Sequence, residues 1–99
     1  MSTLRIDLQG GFEGDTVEIW LDEELRQRED GVTTNLSVDL ASSVPLVVPD
    51  GPVDVRIALP ERGLEETVEA LVAGDTYVVA RIENGRLQVE QLAEAPYYL

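Results

Sequence analysis

The sequence predicts an all-β domain, an antiparallel β-sandwich of seven to nine short strands with an immunoglobulin-like architecture, or alternatively a small barrel. Apolar and polar residues alternate along most of the chain, which places the apolar side chains on one face of each strand. Turn-forming residues interrupt this alternation about every ten residues, which leaves no room for the crossover helices of a parallel sheet. The 99 residues therefore predict one domain, 1–99, that buries about two thirds of the surface its unfolded chain exposes.

The stretch 44–59 shows the clearest alternation. Its apolar residues share one face before and after a group of turn residues: Val44, Leu46, Val48, Val53, Val55, Ile57 and Leu59. The turn residues are Pro49-Asp50-Gly51-Pro52, in which proline fixes φ and glycine tolerates positive φ. We therefore predict a β-hairpin over 44–59 whose apolar face is covered by a second sheet.

Alternation also predicts strands elsewhere in the chain. These segments are 4–8, 16–22, 25–29, 36–40, 76–83 and 86–92. The segment 25–29 has Leu25 as its only large apolar residue, so we predict a charged edge strand that resists pairing with another molecule. Asn84-Gly85 lies between the last two segments and predicts a type I′ hairpin turn, because both residues accept positive φ.

Residues 61–72 allow two interpretations. Leu64, Val68, Leu71 and Val72 have the spacing of a helical stripe. Against a helix, Gly63 would lie in its first turn, and no capping residue precedes it. A strand places most of the same apolar residues on one face, and the neighbouring turns recur at strand spacing. The strand is favoured, and the helix stays open as the alternative.

The chain is strongly acidic, with 20 acidic residues against 7 basic ones and a formal net charge of −13. Such a surface repels phosphate backbones and anionic lipids, so we expect neither nucleic-acid binding nor a membrane role. No apolar run approaches the ~20 residues of a membrane span. The first residues lack the pattern of a signal peptide, so we expect a cytoplasmic location.

Composition also argues against catalysis. The chain has no cysteine and no histidine, and all its basic residues are arginine, so a hydroxyl nucleophile has no usual base beside it. A glycosidase could use two carboxylates, but it needs a cleft that ~100 residues rarely provide. We predict a protein that is not an enzyme and has no cofactor.

Metal binding is the next possibility. The acidic cluster Asp22-Glu23-Glu24 lies at a predicted turn, but no calcium-binding loop of the Asp-x-Asp-x-Asp-Gly type is present. Consecutive acidic residues in a strand also point to opposite faces. We interpret the cluster as a solvated turn and predict no metal site.

Aromatic residues are the candidate contact residues. Trp20 lies on the predicted polar face of its strand, and Tyr77 likewise lies on the face opposite the apolar residues of its strand. Tyr97, Tyr98 and Leu99 end the chain with an apolar segment. Because tryptophan and tyrosine are enriched in interfaces, we predict that these five residues form a binding surface. The alternative is that a bulge shifts the alternation and Trp20 lies in the core, or that the C-terminal tail folds over Trp20.

Three segments resemble a group of small β-sandwiches. They are Val17–Glu24, Val48–Arg56 and the Arg62-Gly63 turn, and the resemblance spans about residues 16–82. This pattern resembles the prealbumin-like, carboxypeptidase-regulatory and PEGA group, in which an Asp-Gly turn ends one strand and a Pro-Gly turn precedes a valine-rich strand. Here Asp22-Glu23 replaces the Asp-Gly turn. Most members are accessory modules, so the resemblance implies an interaction or scaffolding role and transfers no site residue.

These observations together predict a non-enzymatic interaction or structural module. Its expected partner is a protein, either a second copy in a homodimer or a larger protein to which the domain is accessory. The alternative is a module that binds a small ligand or carbohydrate through the same aromatic residues.

Overall fold

The structure, a computed structural model, describes residues 1–98, and eight β-strands account for most of them. The strands are β1 (Ser2–Leu8), β2 (Glu13–Leu21), β3 (Glu24–Thr33), β4 (Ser42–Val48), β5 (Gly51–Leu59), β6 (Leu64–Val72), β7 (Thr76–Glu83) and β8 (Arg86–Leu92), with a 3₁₀ turn at Pro60–Arg62. The strand alternation of the sequence therefore becomes an all-β fold.

The strands form two four-stranded sheets. Sheet A has the order β4-β1-β7-β8, and sheet B has the order β3-β2-β5-β6. Neighbouring strands are antiparallel except for β1 and β7, which are parallel. The predicted all-β sandwich is confirmed, with one parallel pair in an otherwise antiparallel arrangement.

The core lies between the two sheets and contains the apolar residues of the alternating pattern. Sheet A contributes Leu4, Ile6 and Leu8 from β1, all fully buried, and sheet B contributes Val17 and Ile19 from β2, also fully buried. Burying a side chain of this kind stabilises the folded state by about 1.5–3 kcal/mol. The residues between them, such as those at positions 5, 7, 18 and 20, therefore face outward.

The hairpin predicted over 44–59 is wrong. β4 pairs with β1 in sheet A, whereas β5 pairs with β2 and β6 in sheet B, so residues 49 and 50 lead the chain from one sheet to the other. Alternation determines which face of a strand is buried but not its pairing partner. Pro45, which has no N–H to donate, lies in β4 at the edge of sheet A, where proline is tolerated.

The strand predicted over 36–40 is also wrong. Residues 36–39 form a turn that is closed by a bridge between Asn35 and Leu40. The Asn35 side chain accepts a hydrogen bond from the Ser37 backbone N–H (3.0 Å), and the Asp39 backbone donates to the Asn35 carbonyl (2.8 Å). These local hydrogen bonds compete with a sheet ladder. Leu36 is consequently 91% exposed.

Within 61–72, residues 64–72 form a strand and not an α-helix. β6 pairs with β5 over its whole length, from Gly51 opposite Val72 to Leu59 opposite Leu64. Leu71, which belongs to the helical stripe, faces outward and is 62% exposed. Only the short 3₁₀ turn before β6 is helical, and it ends at Gly63 with φ 65°.

The predicted hairpin at Asn84-Gly85 and the predicted turn at Asp22-Glu23-Glu24 are confirmed. Asn84 and Gly85 both have positive φ, 53° and 74°, and connect the paired strands β7 and β8. Asp22 and Glu23 connect β2 and β3 with φ of 47° and 67°. The Asp22 carboxylate accepts a hydrogen bond from the Asp54 backbone N–H (2.9 Å), which helps hold this turn without glycine. β3 is an edge strand, as the polar segment 25–29 predicts.

Candidate functional site

The predicted contact residues lie on two opposite faces of the sandwich. Trp20 is on the outer face of sheet B, because its neighbours Ile19 and Leu21 point into the core. Tyr77 and Tyr98 are on the outer side of sheet A, and Tyr97 is 86% exposed. The structure therefore does not bring Trp20 together with the tyrosines. The fifth predicted residue, Leu99, lies outside the described residues.

Trp20 is the centre of a row of side chains that crosses all four strands of sheet B. The register places Leu25 beside Trp20, Arg56 on its other side and Thr67 beyond Arg56. We call Leu25, Trp20 and Arg56 the Trp20 face, and Thr67 lies outside it at the end of the row. Leu25 is 44% exposed, Trp20 and Arg56 are partly buried, and Thr67 is exposed. The core position that the alternative interpretation gave to Trp20 is not observed.

Arg56 and Trp20 form a stacked pair. The guanidinium carbon of Arg56 lies 4.5 Å from the centroid of the Trp20 ring, within the range of a cation–π interaction. Arg56 also donates a hydrogen bond of 2.9 Å to Glu65 on β6. The indole Nε1 is buried and has no hydrogen-bond partner among the described residues. An aromatic ring, a cation and a buried, unsatisfied donor therefore lie together in this pair.

The surface contains no aromatic groove among its main depressions. Four depressions of residues 1–98 have volumes between about 230 and 370 Å³. None of these four has a tryptophan or tyrosine in its lining. The aromatic residues therefore contribute to none of these four depressions.

A second cluster on the outer face of sheet A surrounds a buried carboxylate. Asp7 is 1% exposed although its side chain points away from the core. It accepts hydrogen bonds from Ser43 Oγ (2.7 Å), Arg5 Nη2 (3.2 Å) and the Tyr98 hydroxyl (2.8 Å). Gln9 Nε2 in turn donates to the Tyr98 hydroxyl (3.0 Å). We call Arg5, Asp7, Gln9 and Ser43 the Asp7 site.

Tyr98 is the part of the C-terminal segment that contacts this site. Burial raises the pKa of its phenol above the ordinary value of 10.0, and donation to the Asp7 carboxylate raises it further, while the hydrogen bond from Gln9 acts in the opposite direction. At neutral pH the phenol is therefore a protonated donor. The Arg5 guanidinium, which completes the charge balance around Asp7, lies 5.1 Å from the Tyr77 ring centroid.

Sequence reasoning missed the Asp7 site. Asp7 alternates with buried leucine and isoleucine, which is the pattern of a solvated outward residue. Its burial depends on Tyr98, which is 91 positions away in the chain. The apolar character of the C-terminal segment was the only signal, and it indicated docking without indicating where.

No group of three or more acidic side chains that could hold a metal ion is found among residues 1–98. Within the same residues, no helix is long and apolar enough to cross a membrane.

Comparison with known proteins finds no matching family model, no matching curated protein and no matching solved structure. The resemblance to the prealbumin-like, carboxypeptidase-regulatory and PEGA group therefore stays a prediction.

Proposed function

We propose that this protein is a non-enzymatic interaction module that self-associates through the Trp20 face. The main support is the stacked pair of Trp20 and Arg56 on an open sheet surface. Tryptophan and arginine are the side chains most often found at interface hot spots, because each contributes a large contact area together with a polar group. Leu25 extends the apolar surface beside the ring.

The unsatisfied indole N–H supports the same proposal. A buried donor without an acceptor costs about 1–3 kcal/mol. Nε1 of Trp20 lacks an acceptor among the described residues, and Arg56 lies over the ring. A partner acceptor that reaches this N–H removes the cost, so association offsets a cost present in the single chain.

A second copy of the chain suits this face because positive and negative side chains lie side by side around it. Arg56 and Arg28 lie close to Glu18 and Glu65 on the outer face of sheet B. In a two-fold symmetric contact, the arginines of one copy meet the carboxylates of the other. The net charge of −13 opposes the approach of two copies, so we expect association to strengthen as salt screens this repulsion.

The structure offers less support for a small ligand or carbohydrate. A sugar-binding groove that combines several aromatic rings is not formed by this pair, because Trp20 and Tyr77 lie on opposite faces. A sandwich fold alone does not define a function, so a functional relation to the accessory modules that the sequence resembles is part of this proposal. An accessory role within a larger protein would use the same Trp20 face.

Sedimentation velocity tests the proposal. We compare the wild-type chain with Trp20→Ala and with the control Thr67→Ala, an exposed residue of the same row. The wild type is expected to dimerise, more strongly at ~0.5 M than at ~0.02 M NaCl. Trp20→Ala is expected to weaken dimerisation about tenfold or more, and Thr67→Ala less than about threefold.

Chemical denaturation of each variant shows whether the fold is kept. A wild-type chain that stays monomeric at millimolar concentration in both salt conditions would show that self-association is wrong. An equal dissociation constant for wild type and Trp20→Ala would show that the contact lies elsewhere.

A further inference from the structure

The Asp7 site has the properties of a binding site and not of solvated surface. Asp7 is 1% exposed, and a carboxylate so buried requires compensating donors. Val79, its register neighbour on β7, is 4% exposed although it also faces away from the core. This row of sheet A is therefore covered, and Tyr98 is the residue of the C-terminal segment that bonds to it.

The described part of the C-terminal segment, residues 93–98, is held to the sandwich by few hydrogen bonds. Residues 93–98 contain no strand or helix. Within the described chain, their hydrogen bonds are both made by the Tyr98 hydroxyl, one to Asp7 and one from Gln9. Residues 93–95, which connect β8 to this anchor, are exposed. The Tyr98 hydroxyl, which donates to the Asp7 carboxylate and accepts from the Gln9 amide, is therefore the group that the Asp7 site recognises.

We propose that the Asp7 site is a receptor for the C-terminal segment of a second copy of this chain, which docks there through Tyr98 when the chain's own segment leaves. The inference goes beyond the proposed function, because the site lies on the face opposite Trp20 and binds a defined segment.

A second copy is the occupant because its segment makes every contact that the chain's own segment makes. The two arrangements differ only in how the segment is tethered, as in other exchanges of identical elements between protomers. A short tether gives the chain's own segment an effective concentration in the millimolar range. Exchange is therefore expected at high protein concentration, or when the chain's own Tyr98 is absent.

Peptide binding to a full-length Tyr98→Ala chain tests the receptor directly. The probe is the peptide Ala-Glu-Ala-Pro-Tyr-Tyr-Leu, which corresponds to residues 93–99, and binding is measured by calorimetry. We expect the peptide to bind this chain about tenfold or more tightly than it binds the wild type, whose site is occupied. If Tyr98→Ala does not fold, Tyr98→Phe replaces it, because that variant keeps the ring and removes only the hydroxyl.

Two altered peptides identify the recognised group. Replacing the second tyrosine, which corresponds to Tyr98, by phenylalanine is expected to weaken binding about tenfold, because the hydrogen bond to the carboxylate is lost. Replacing the first, which corresponds to the exposed Tyr97, is expected to change binding less than about twofold, since the Tyr97 hydroxyl makes no hydrogen bond to another residue of 1–98. No binding at millimolar peptide, or equal binding of the three peptides, would overturn the proposal.

A mixing experiment tests the exchange between copies. Asp7→Asn keeps the C-terminal segment but damages the site, because the new amide N–H₂ faces donors that need an acceptor. Tyr98→Phe keeps the site but damages the segment. We expect the mixture to associate more strongly than either variant alone. The Trp20 face is intact in both, so any association through that face is present in each separate variant, and a mixture with no excess would contradict the exchange.

Discussion

The hydroxyl of Tyr98 donates a hydrogen bond of 2.8 Å to the carboxylate of Asp7, and 91 positions of the chain separate the two residues. Burial and this bond raise the pKa of the phenol above 10.0. Below pH 10 the phenol is protonated whether the segment is docked or free, so docking is at full strength. Between pH 10 and the raised pKa only the free phenol ionises, so docking weakens as pH rises through this window.

Alkaline titration measures this effect. The tyrosinate absorbance of the wild type minus that of Tyr98→Phe is expected to have its midpoint above 10.0, the ordinary value for tyrosine. The same difference titration in denaturant is the control and is expected to return to about 10. A midpoint at or below 10 in the folded protein would contradict the contact with Asp7.

Gln91 on β8 forms two hydrogen bonds to the backbone of Leu71 on the edge strand β6. Its Oε1 accepts from the Leu71 backbone N–H (3.1 Å), and its Nε2 donates to the Leu71 carbonyl (3.0 Å). β6 is an edge of sheet B, and unpaired backbone groups at an edge invite pairing with other chains. Gln91→Ala is therefore expected to lower the free energy of unfolding by about 1–2 kcal/mol and to increase aggregation on heating.

Denaturant unfolding and light scattering check this prediction. Gln88→Ala, at an exposed glutamine of the same strand, is the control and is expected to change stability by less than about 0.5 kcal/mol. If the two variants are equally stable, the Gln91 side chain does not stabilise the edge of β6.

Much of the fold could be predicted because alternation is a local property. The parity of Leu4, Ile6 and Leu8 determines the buried face of β1 without any knowledge of its neighbours. Asn84-Gly85 determines a hairpin because both residues adopt positive φ at low cost. These features depend on residues that are adjacent in the chain.

The features that sequence reasoning missed depend on distant residues. The pairing partners of the strands are one example. The alternation around Val48 and Val53 is the same whether their two strands pair in a hairpin or belong to two facing sheets. The burial of Asp7 is another, because Tyr98, which contacts it, is 91 positions away in the chain. Locating the candidate site therefore required the structure, although the aromatic residues that contribute to it could be identified beforehand.

Arg62 and Asp15 connect the 3₁₀ turn to β2 through a bidentate ion pair. Arg62 Nε and Nη2 donate to the two carboxylate oxygens at 2.8 and 2.9 Å, and Asp15 is only 6% exposed. Arg62→Ala leaves this buried carboxylate with the Glu13 backbone N–H as its remaining observed donor. We expect a loss of about 2–3 kcal/mol in the free energy of unfolding.

Arg62→Lys is the matched variant for this pair. Lysine keeps the charge but cannot reproduce the bidentate geometry, so we expect a loss between those of wild type and Arg62→Ala. Both are measured by urea unfolding. A full recovery by lysine would mean that charge alone, and not the paired hydrogen bonds, stabilises the contact.

Gly11 lies between β1 and β2 at a place where a side chain does not fit. Its φ is +91°, and a Cβ there would lie 2.3 Å from the Ile82 carbonyl oxygen, which is part of the backbone. Gly11→Ala is expected to lower the free energy of unfolding by at least ~3 kcal/mol, because strain and a backbone clash act together. Gly14 has φ +69° with no atom within 4 Å of the same position, so the control Gly14→Ala is expected to lose only about 1–2 kcal/mol. Thermal and urea unfolding compare the two variants, and equal losses would mean that positive φ alone requires glycine at position 11.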